Sequence, residues 1–310
     1  MSFTPTPWLA HRHAQTLLAA FLRASRADLT TELVELPDGD AVEIMRTGDP
    51  AGRPAVLLLP GLEGSISSPY AALLLAAWRT RGWCGVILHH RGAARRPNRL
   101  VRGCHSGDWS DAAQVVAHLK RLGATTVSAV GVSLGGNVLL KWLGESGANC
   151  PLTNAVAVSV PFDLAACAGA LDRGWFNLYR WHLLRDMRAS TWAKRDLNAI
   201  PRAELAALRT FHAFDDRLTA PQNGFAGVAD YYRCNSCRQF LGGITVPTVI
   251  LHAADDPFVP LASVPTAAEL PAVVHLELSA RGGHVGFLTG WRPRSWLTNA
   301  VTTHLESHLP

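Results

Sequence analysis

Short, wholly apolar runs alternate along the chain with longer stretches of mixed polarity, and this pattern predicts its elements. Ala55–Leu59 and Gly85–Leu88 are apolar runs of strand length, as expected of strands covered on both faces. Thr126–Val130 and Ala155–Val160 are further predicted strands. Nearer the N-terminus, Glu32–Leu36 and Ala41–Arg46 alternate, and Pro37-Asp38-Gly39-Asp40 between them carries hairpin turn chemistry. Helices are predicted over Pro69–Arg81, Gly135–Gly144 and the amphipathic Asp108–Arg121, whose leading acids suit the helix dipole. Strands alternating with helices imply an α/β fold: a mostly parallel, twisted sheet with helices on both faces.

The rhythm breaks at Pro161. Through Leu241 the text is rich in Trp, Arg, Asp and Tyr and shows no strand pattern; it resumes with Pro247–His252, Val273–Leu278 and a helix over Arg294–Ser307. The expectation is one domain over 1–310 with an N-terminal lead of about thirty residues and an inserted helical cap at 161–241. The insertion explains why 310 residues, at about 150 per domain, would otherwise suggest two.

Composition narrows the class. With 48% apolar and 17% charged residues, the chain can bury enough surface to fold. Its longest apolar stretch, Ala71–Trp78, is too short to cross a bilayer of about 30 Å. Thr16–Leu22, between His11-Arg12-His13 and Arg23, lacks the cleavage site of a secretory signal, so a cytoplasmic location is expected. The formal charge of +5 is nearly all arginine. The densest cluster, Arg91, Arg95, Arg96, Arg99 and Arg102, has little aromatic interleaving and belongs to no nucleic-acid module, so no nucleic-acid partner is expected. Cys234 and Cys237 form a lone CxxC with no second pair at zinc-like spacing and read as unpaired thiols, like the other four cysteines.

The chemistry centres on Gly131-Val132-Ser133-Leu134-Gly135, a GxSxG motif between a predicted strand and a predicted helix. In such an elbow the serine occupies a strained turn, and the glycines let strand and helix approach closely. An acid and a histidine should follow in that order. Asp255-Asp256-Pro257 lies after the strand Val249–Leu251, and His284 lies in Gly282-Gly283-His284-Val285-Gly286 after the last predicted strand. Asp256, which precedes Pro257-Phe258-Val259-Pro260, is read as the triad acid and Asp255 as its loop cap, with Asp255 the alternative. His252 reads as a packed strand residue, and His89 and His90 as the end of a strand. An oxyanion hole is expected from the backbone N–H of Leu134 and that of Leu62 in Gly61-Leu62-Glu63-Gly64. These parts imply acyl transfer through a covalent intermediate, with neither metal nor cofactor.

Around these residues the chain resembles the YheT-like family of α/β-hydrolases. His13-Ala14-Gln15-Thr16 is similar to its N-terminal HxQT element, and Gly61-Leu62-Glu63-Gly64-Ser65 with Ser68-Pro69-Tyr70 resembles its oxyanion loop. His90-Arg91-Gly92, Pro97-Asn98-Arg99 and His105-Ser106-Gly107 resemble its long loop. Ser133–Asn137 with Lys141–Gly144 resembles its elbow helix. Thr219-Ala220-Pro221, Gly224-Phe225 and Tyr231-Tyr232 resemble its cap return, and Asp255–Phe258 and Gly282–Phe287 its acid and histidine loops. Two positions depart: Pro60 replaces the usual histidine, and Ala93-Ala94-Arg95-Arg96 replaces small and acidic residues. The resemblance implies hydrolysis of small acyl esters of short to medium chain length. The family's yeast ethyl-ester synthases keep acyl transfer to an alcohol as an alternative, and a non-catalytic ligand-binding protein of the same fold is a second. Its membrane-associated animal lipases leave peripheral membrane contact open. The cap aromatics Trp175, Phe176, Tyr179, Trp181 and Trp192 are expected either to line an acyl pocket or to form the cap's own core.

Overall fold

A computed structural model describes residues 3–22, 28–93, 97–173 and 177–307. Arg23, Arg95, Arg96, Trp175 and Phe176 lie outside the described residues. Eight strands form one sheet: β1 (Thr30–Glu35), β2 (Ala41–Arg46), β3 (Ala55–Leu59), β4 (Cys84–Leu88), β5 (Val127–Val132), β6 (Ala155–Val158), β7 (Thr248–Ala253) and β8 (Val274–Ser279). Their spatial order is β1-β2-β4-β3-β5-β6-β7-β8; β2 runs antiparallel to both neighbours, and all pairs from β4 to β8 are parallel.

The central strands β3, β4, β5 and β6 are buried at every position, because helices cover both faces. Within each strand, alternate residues serve opposite cores. Leu57, Leu59, Val86 and Ala129 pack with Val115 and Leu119 of α3 (Ser110–Arg121) and Leu139 and Trp142 of α4 (Leu134–Ser146). Val56, Leu58, Ile87 and Val130 pack with Leu75 and Trp78 of α2 (Pro69–Thr80) and Val301 and Leu305 of the C-terminal helix Trp296–Glu306. The outer strands β1 and β8 instead bury one residue each, Val34 and Val274, and leave the rest exposed or half-buried.

Between β6 and β7 the described residues form helices joined by loops, with no strand among them. They include α5 (Leu164–Asp172), α6 (Asn177–Ala193), a π-helical turn at Asp215–Thr219 and the helix Val228–Asn235. Leu171, Leu184, Met187, Leu205, Phe211 and Phe214 form a core separate from those of the sheet.

Three boundaries differ instructively from expectation. β5 continues past Val130 because Gly131 and Val132 pair with Ala157 and Val158, which delivers Ser133 directly from a strand. α4 does not stop at Gly144, whose missing side chain instead admits the carbonyl of Phe240: a Cβ there would lie 2.1 Å from that oxygen. The N-terminal lead carries an unexpected helix, α1 (Arg12–Ala19), which buries Gln15 and exposes Leu17 and Leu18.

The strand order reverses direction at β3, since β4 lies on one side of it and β5 on the other. The loops leaving the carboxyl ends of β3 and β5 therefore diverge and open a crevice, the usual ligand position in such sheets.

Candidate active site

At the end of β5 the chain turns sharply into α4, and Ser133 forms the turn with φ 53° and ψ −119°. This conformation is costly for a residue with a side chain and persists only where its surroundings enforce it. The enforcement is visible in the flanking glycines. A Cβ on Gly135 would lie 2.1 Å from the Leu59 carbonyl oxygen, and one on Gly131 would lie 2.4 Å from that of Gly135. The Ser133 N–H donates to the carbonyl of Val158 at 2.8 Å, and its own carbonyl accepts from Gly136 and Asn137.

The loop after β8 carries His284 to this serine. Its Nε2 lies 2.9 Å from Ser133 Oγ, and its Nδ1 lies 2.8 Å from Asp256 Oδ2. A carboxylate only accepts, so Nδ1 carries the proton and Nε2 is free to accept from the serine hydroxyl. The second oxygen of Asp256 accepts the N–H groups of Phe258 (2.8 Å) and Val259 (3.3 Å), and the Phe258 ring stacks on the imidazole at 4.3 Å. Burial alone would raise the Asp256 carboxyl, but the charge and hydrogen bond of His284 outweigh it and hold it below the usual range. Asp255 faces elsewhere: its Oδ1 accepts the Gly283 N–H at 2.9 Å and so caps the histidine loop.

The expected oxyanion donors line the same cavity. Leu134 opens α4, where the first N–H groups have no intrahelical acceptor. Among the described residues, neither its N–H nor that of Leu62 has an acceptor. The loop bearing Leu62 passes close enough to the nucleophile that a Cβ on Gly61 would lie 3.3 Å from the Ser133 Cβ. The Gly61 N–H donates to the Tyr70 hydroxyl at 3.0 Å, and His90 Nε2 donates to the Pro60 carbonyl at 3.0 Å. A backbone carbonyl thus ties down the loop at the position where a histidine was expected.

The N-terminal lead holds the histidine loop from outside. The His284 N–H donates to Thr16 Oγ1 at 2.9 Å. Gln15, fully buried, donates to the carbonyls of Leu9 (2.7 Å) and Leu288 (3.2 Å) and accepts the Leu288 N–H at 2.6 Å. Ser159 Oγ accepts the N–H of Val285, which has φ 56°. Sequence reasoning assigned none of these supports. The HxQT similarity was the signal for Gln15 and Thr16; Ser159 gave none.

A cavity of about 480 Å³ opens onto Ser133 and His284, with apolar walls from Leu164, Leu171, Leu183 and Met187. A polar corner holds Asp215, whose carboxylate accepts hydrogen bonds from Thr219 and from Tyr232 (each 2.7 Å) and which burial pushes up to about 6. Of the cap aromatics, Tyr179 lines this cavity and also packs against the cap core, and Trp192 packs against the cap core. Trp181 does neither and points into solvent, 56% exposed.

His252 is buried on β7 against Phe162, and burial lowers it to about 4; His89 and His90 follow β4. The described arginines of the basic cluster are each paired with carboxylates. Arg91 is buried between Asp38, Asp40 and Asp111, Arg99 pairs with Glu35, and Arg102 pairs with Asp108. Cys234 and Cys237 are free thiols, and burial raises both.

The α/β-hydrolase fold family matches residues 54–290. YheT of Escherichia coli is 39% identical over 98% of this chain and 94% of its own length. This chain is a YheT-like α/β-hydrolase. This hydrolase is also 31% identical to mouse phospholipase ABHD3, over 94% of this chain and 75% of that protein. Among solved structures it shares its fold with the Pyrococcus furiosus esterase Pf2001, at a TM-score of 0.61 and 13% identity over 93% of this chain and all of the other. No helix among the described residues is long and apolar enough to cross a membrane.

Proposed function

We propose that this hydrolase cleaves carboxylic esters through Ser133, His284 and Asp256, by way of an acyl-enzyme. The observation that carries the reading is the continuous relay of two short hydrogen bonds, Ser133 Oγ to His284 Nε2 (2.9 Å) and His284 Nδ1 to Asp256 (2.8 Å). His284 Nε2 takes the serine proton as Oγ bonds to the ester carbonyl carbon. Asp256 stays ionised, fixes the tautomer and stabilises the imidazolium. The N–H groups of Leu62 and Leu134 receive the oxyanion; a donor of this kind contributes about 3 kcal/mol in the transition state. The imidazolium then protonates the departing alcohol. Water, deprotonated by the same nitrogen, attacks the acyl-enzyme and releases the acid.

A cavity of about 480 Å³ is in the size range that takes a small-molecule ligand, and its apolar walls suit the acyl chain of a short- to medium-chain ester. The family membership and the names of the YheT-like and ABHD3 relatives support ester hydrolysis as the reaction class. The cap, proposed to span 161–241 within a single domain, supplies Leu164, Leu171, Leu183 and Met187 to the apolar wall.

A fluorophosphonate probe tests the nucleophile: the folded chain labels and the Ser133→Ala variant does not. Labelling of both forms, or of neither, refutes the assignment. p-Nitrophenyl esters of graded length test the substrate class; a maximum between butyrate and decanoate is expected, whereas equal rates from acetate to palmitate refute a shaped acyl pocket. Free acid predominating over ethyl ester in added ethanol separates hydrolysis from acyl transfer.

A further inference from the structure

Besides its apolar walls, the cavity at Ser133 carries the buried side chains of Asp215 and His105, which the triad does not use. Asp215 begins the π-helical turn Asp215–Thr219, a rare form found mostly at functional sites. Its two oxygens accept one hydrogen bond each, from Thr219 Oγ1 and from the Tyr232 hydroxyl (2.7 Å each). An ionised carboxylate has about four acceptor positions, so capacity remains at the cavity wall. His105 supplies the complement. The Gly107 N–H donates to its Nδ1 at 3.2 Å, so that nitrogen bears no proton and the proton of the neutral ring sits on Nε2. Burial favours this neutral ring, lowering it to about 4. Among the described residues the Nε2–H has no acceptor, although His105 is only 9% exposed. Buried donors are seldom left unpaired. The two side chains are joined through packed rings: His105 meets Tyr231 edge-on at 6.0 Å, and Tyr231 packs at 5.3 Å on Tyr232, which holds Asp215.

We infer that this corner binds a hydroxyl group on the acyl chain of the ester, which donates to the Asp215 carboxylate and accepts from His105 Nε2–H. A hydroxyl combines donor and acceptor on one oxygen. An ammonium would meet the His105 N–H with another donor, and a carboxylate would set a second negative charge against Asp215. The position of the corner assigns the hydroxyl to the acyl side. Cys104, Thr219 and Met187 line this cavity and also a smaller one of about 80 Å³ that is walled by Leu62 and Glu63. Among the described residues, neither His284 nor α1 borders that smaller cavity. The corner therefore adjoins the oxyanion loop, whereas the departing alcohol must lie against His284, which protonates it. The substrate class is the ester of a hydroxy acid of short to medium chain length. That such an ester is cleaved rests on the function proposed above; the hydroxyl subsite does not.

The test separates the two. Binding to full-length Ser133→Ala protein is measured by titration calorimetry for the methyl esters of 6-hydroxyhexanoic, 8-hydroxyoctanoic and 10-hydroxydecanoic acids. The methyl and the 2-hydroxyethyl esters of the corresponding plain acids are the comparison. At one or more lengths the hydroxy-acid ester should bind at least tenfold more tightly than the plain methyl ester. A merely apolar corner gives the reverse order, because burying an unpaired hydroxyl is unfavourable. In the protein with Ser133 intact, kcat/KM should show the same preference, since a site built to bond a hydroxyl rejects the analogue lacking it. Asp215→Leu and His105→Leu should each abolish that preference, a ratio taken within one variant and so insensitive to lost stability. The calorimetric comparison needs no change in the corner and decides even where a variant fails to fold. Equal or weaker binding of every hydroxy-acid ester, a preference for the 2-hydroxyethyl esters instead, or a preference that survives both substitutions would each overturn the subsite. A hydroxyl preference in binding by a chain that hydrolyses no ester would instead overturn the proposed function.

Discussion

Gln15 lies outside the relay of Ser133, His284 and Asp256, yet replacing it should impair catalysis. Its side chain makes three hydrogen bonds with no access to solvent, and two of them hold Leu288, four residues beyond His284. Gln15→Ala removes all three, at about 1 kcal/mol each, and leaves the Leu288 N–H buried without an acceptor, at a further cost of about 1–3 kcal/mol. The total is about 4–6 kcal/mol if α1 stays docked. At roughly 2 °C per kcal/mol for a chain of this size, Tm then falls by about 8–12 °C. If α1 detaches instead, the loss in Tm is smaller, but the His284 N–H loses Thr16 and kcat falls by tenfold or more. Gln15→Glu sharpens the test. It conserves volume and still accepts from Leu288 but sets a carboxylate against two carbonyl oxygens, so it should be no better than alanine. Differential scanning fluorimetry and p-nitrophenyl butyrate turnover measure both effects. A Gln15→Ala protein with Tm within 1 °C and kcat/KM within twofold of the parent would refute the role of α1 as a clasp.

Asp256→Asn should lower kcat by roughly 10³–10⁴-fold, since the amide no longer enforces the tautomer. Asp255→Asn should cost far less, because it weakens only the cap on Gly283; equal losses in the two variants would refute the assignment. Gly135→Ala should fail to fold or lose more than about 3 kcal/mol, its Cβ meeting the Leu59 carbonyl at 2.1 Å. Gly242→Ala, with nothing within 4 Å, should be nearly silent. For pH, burial holds His105 and His252 at about 4, so between pH 4 and 6.5 the unfolded chain binds protons that the folded chain refuses, and stability rises with pH. Asp215, held at about 6, acts oppositely, the folded carboxyl keeping a proton that the unfolded one loses above pH 4. Asp215→Asn should therefore steepen the rise of Tm between pH 4 and 6; a flatter profile would contradict this sign.

The sheet was legible because a strand buried on both faces must be apolar throughout, and Ala55–Leu59 and Val127–Val132 are of that kind. The elbow was legible because steric demand leaves glycine as the residue that fits at positions 131 and 135. Chain order separated acid from histidine by only 28 residues, yet it left open which of two adjacent aspartates meets the imidazole. The loop decides that: Phe258 and Val259 donate to Asp256 and turn it inward, while Asp255 reaches Gly283. The pairing of the basic cluster was not legible, because its carboxylates lie 6 to 64 residues away on other turns and strands. α1 escaped notice for a related reason. A periodic pattern assumes that apolar residues face the protein, and here Gln15 faces inward to satisfy the backbone of a loop 273 residues away. The sequence by itself thus determined what steric fit and burial dictate along one element: the strands, the elbow and the residue types of the site. Partner choice between distant segments is set by hydrogen bonds that no local pattern encodes, and only the tertiary structure decided it.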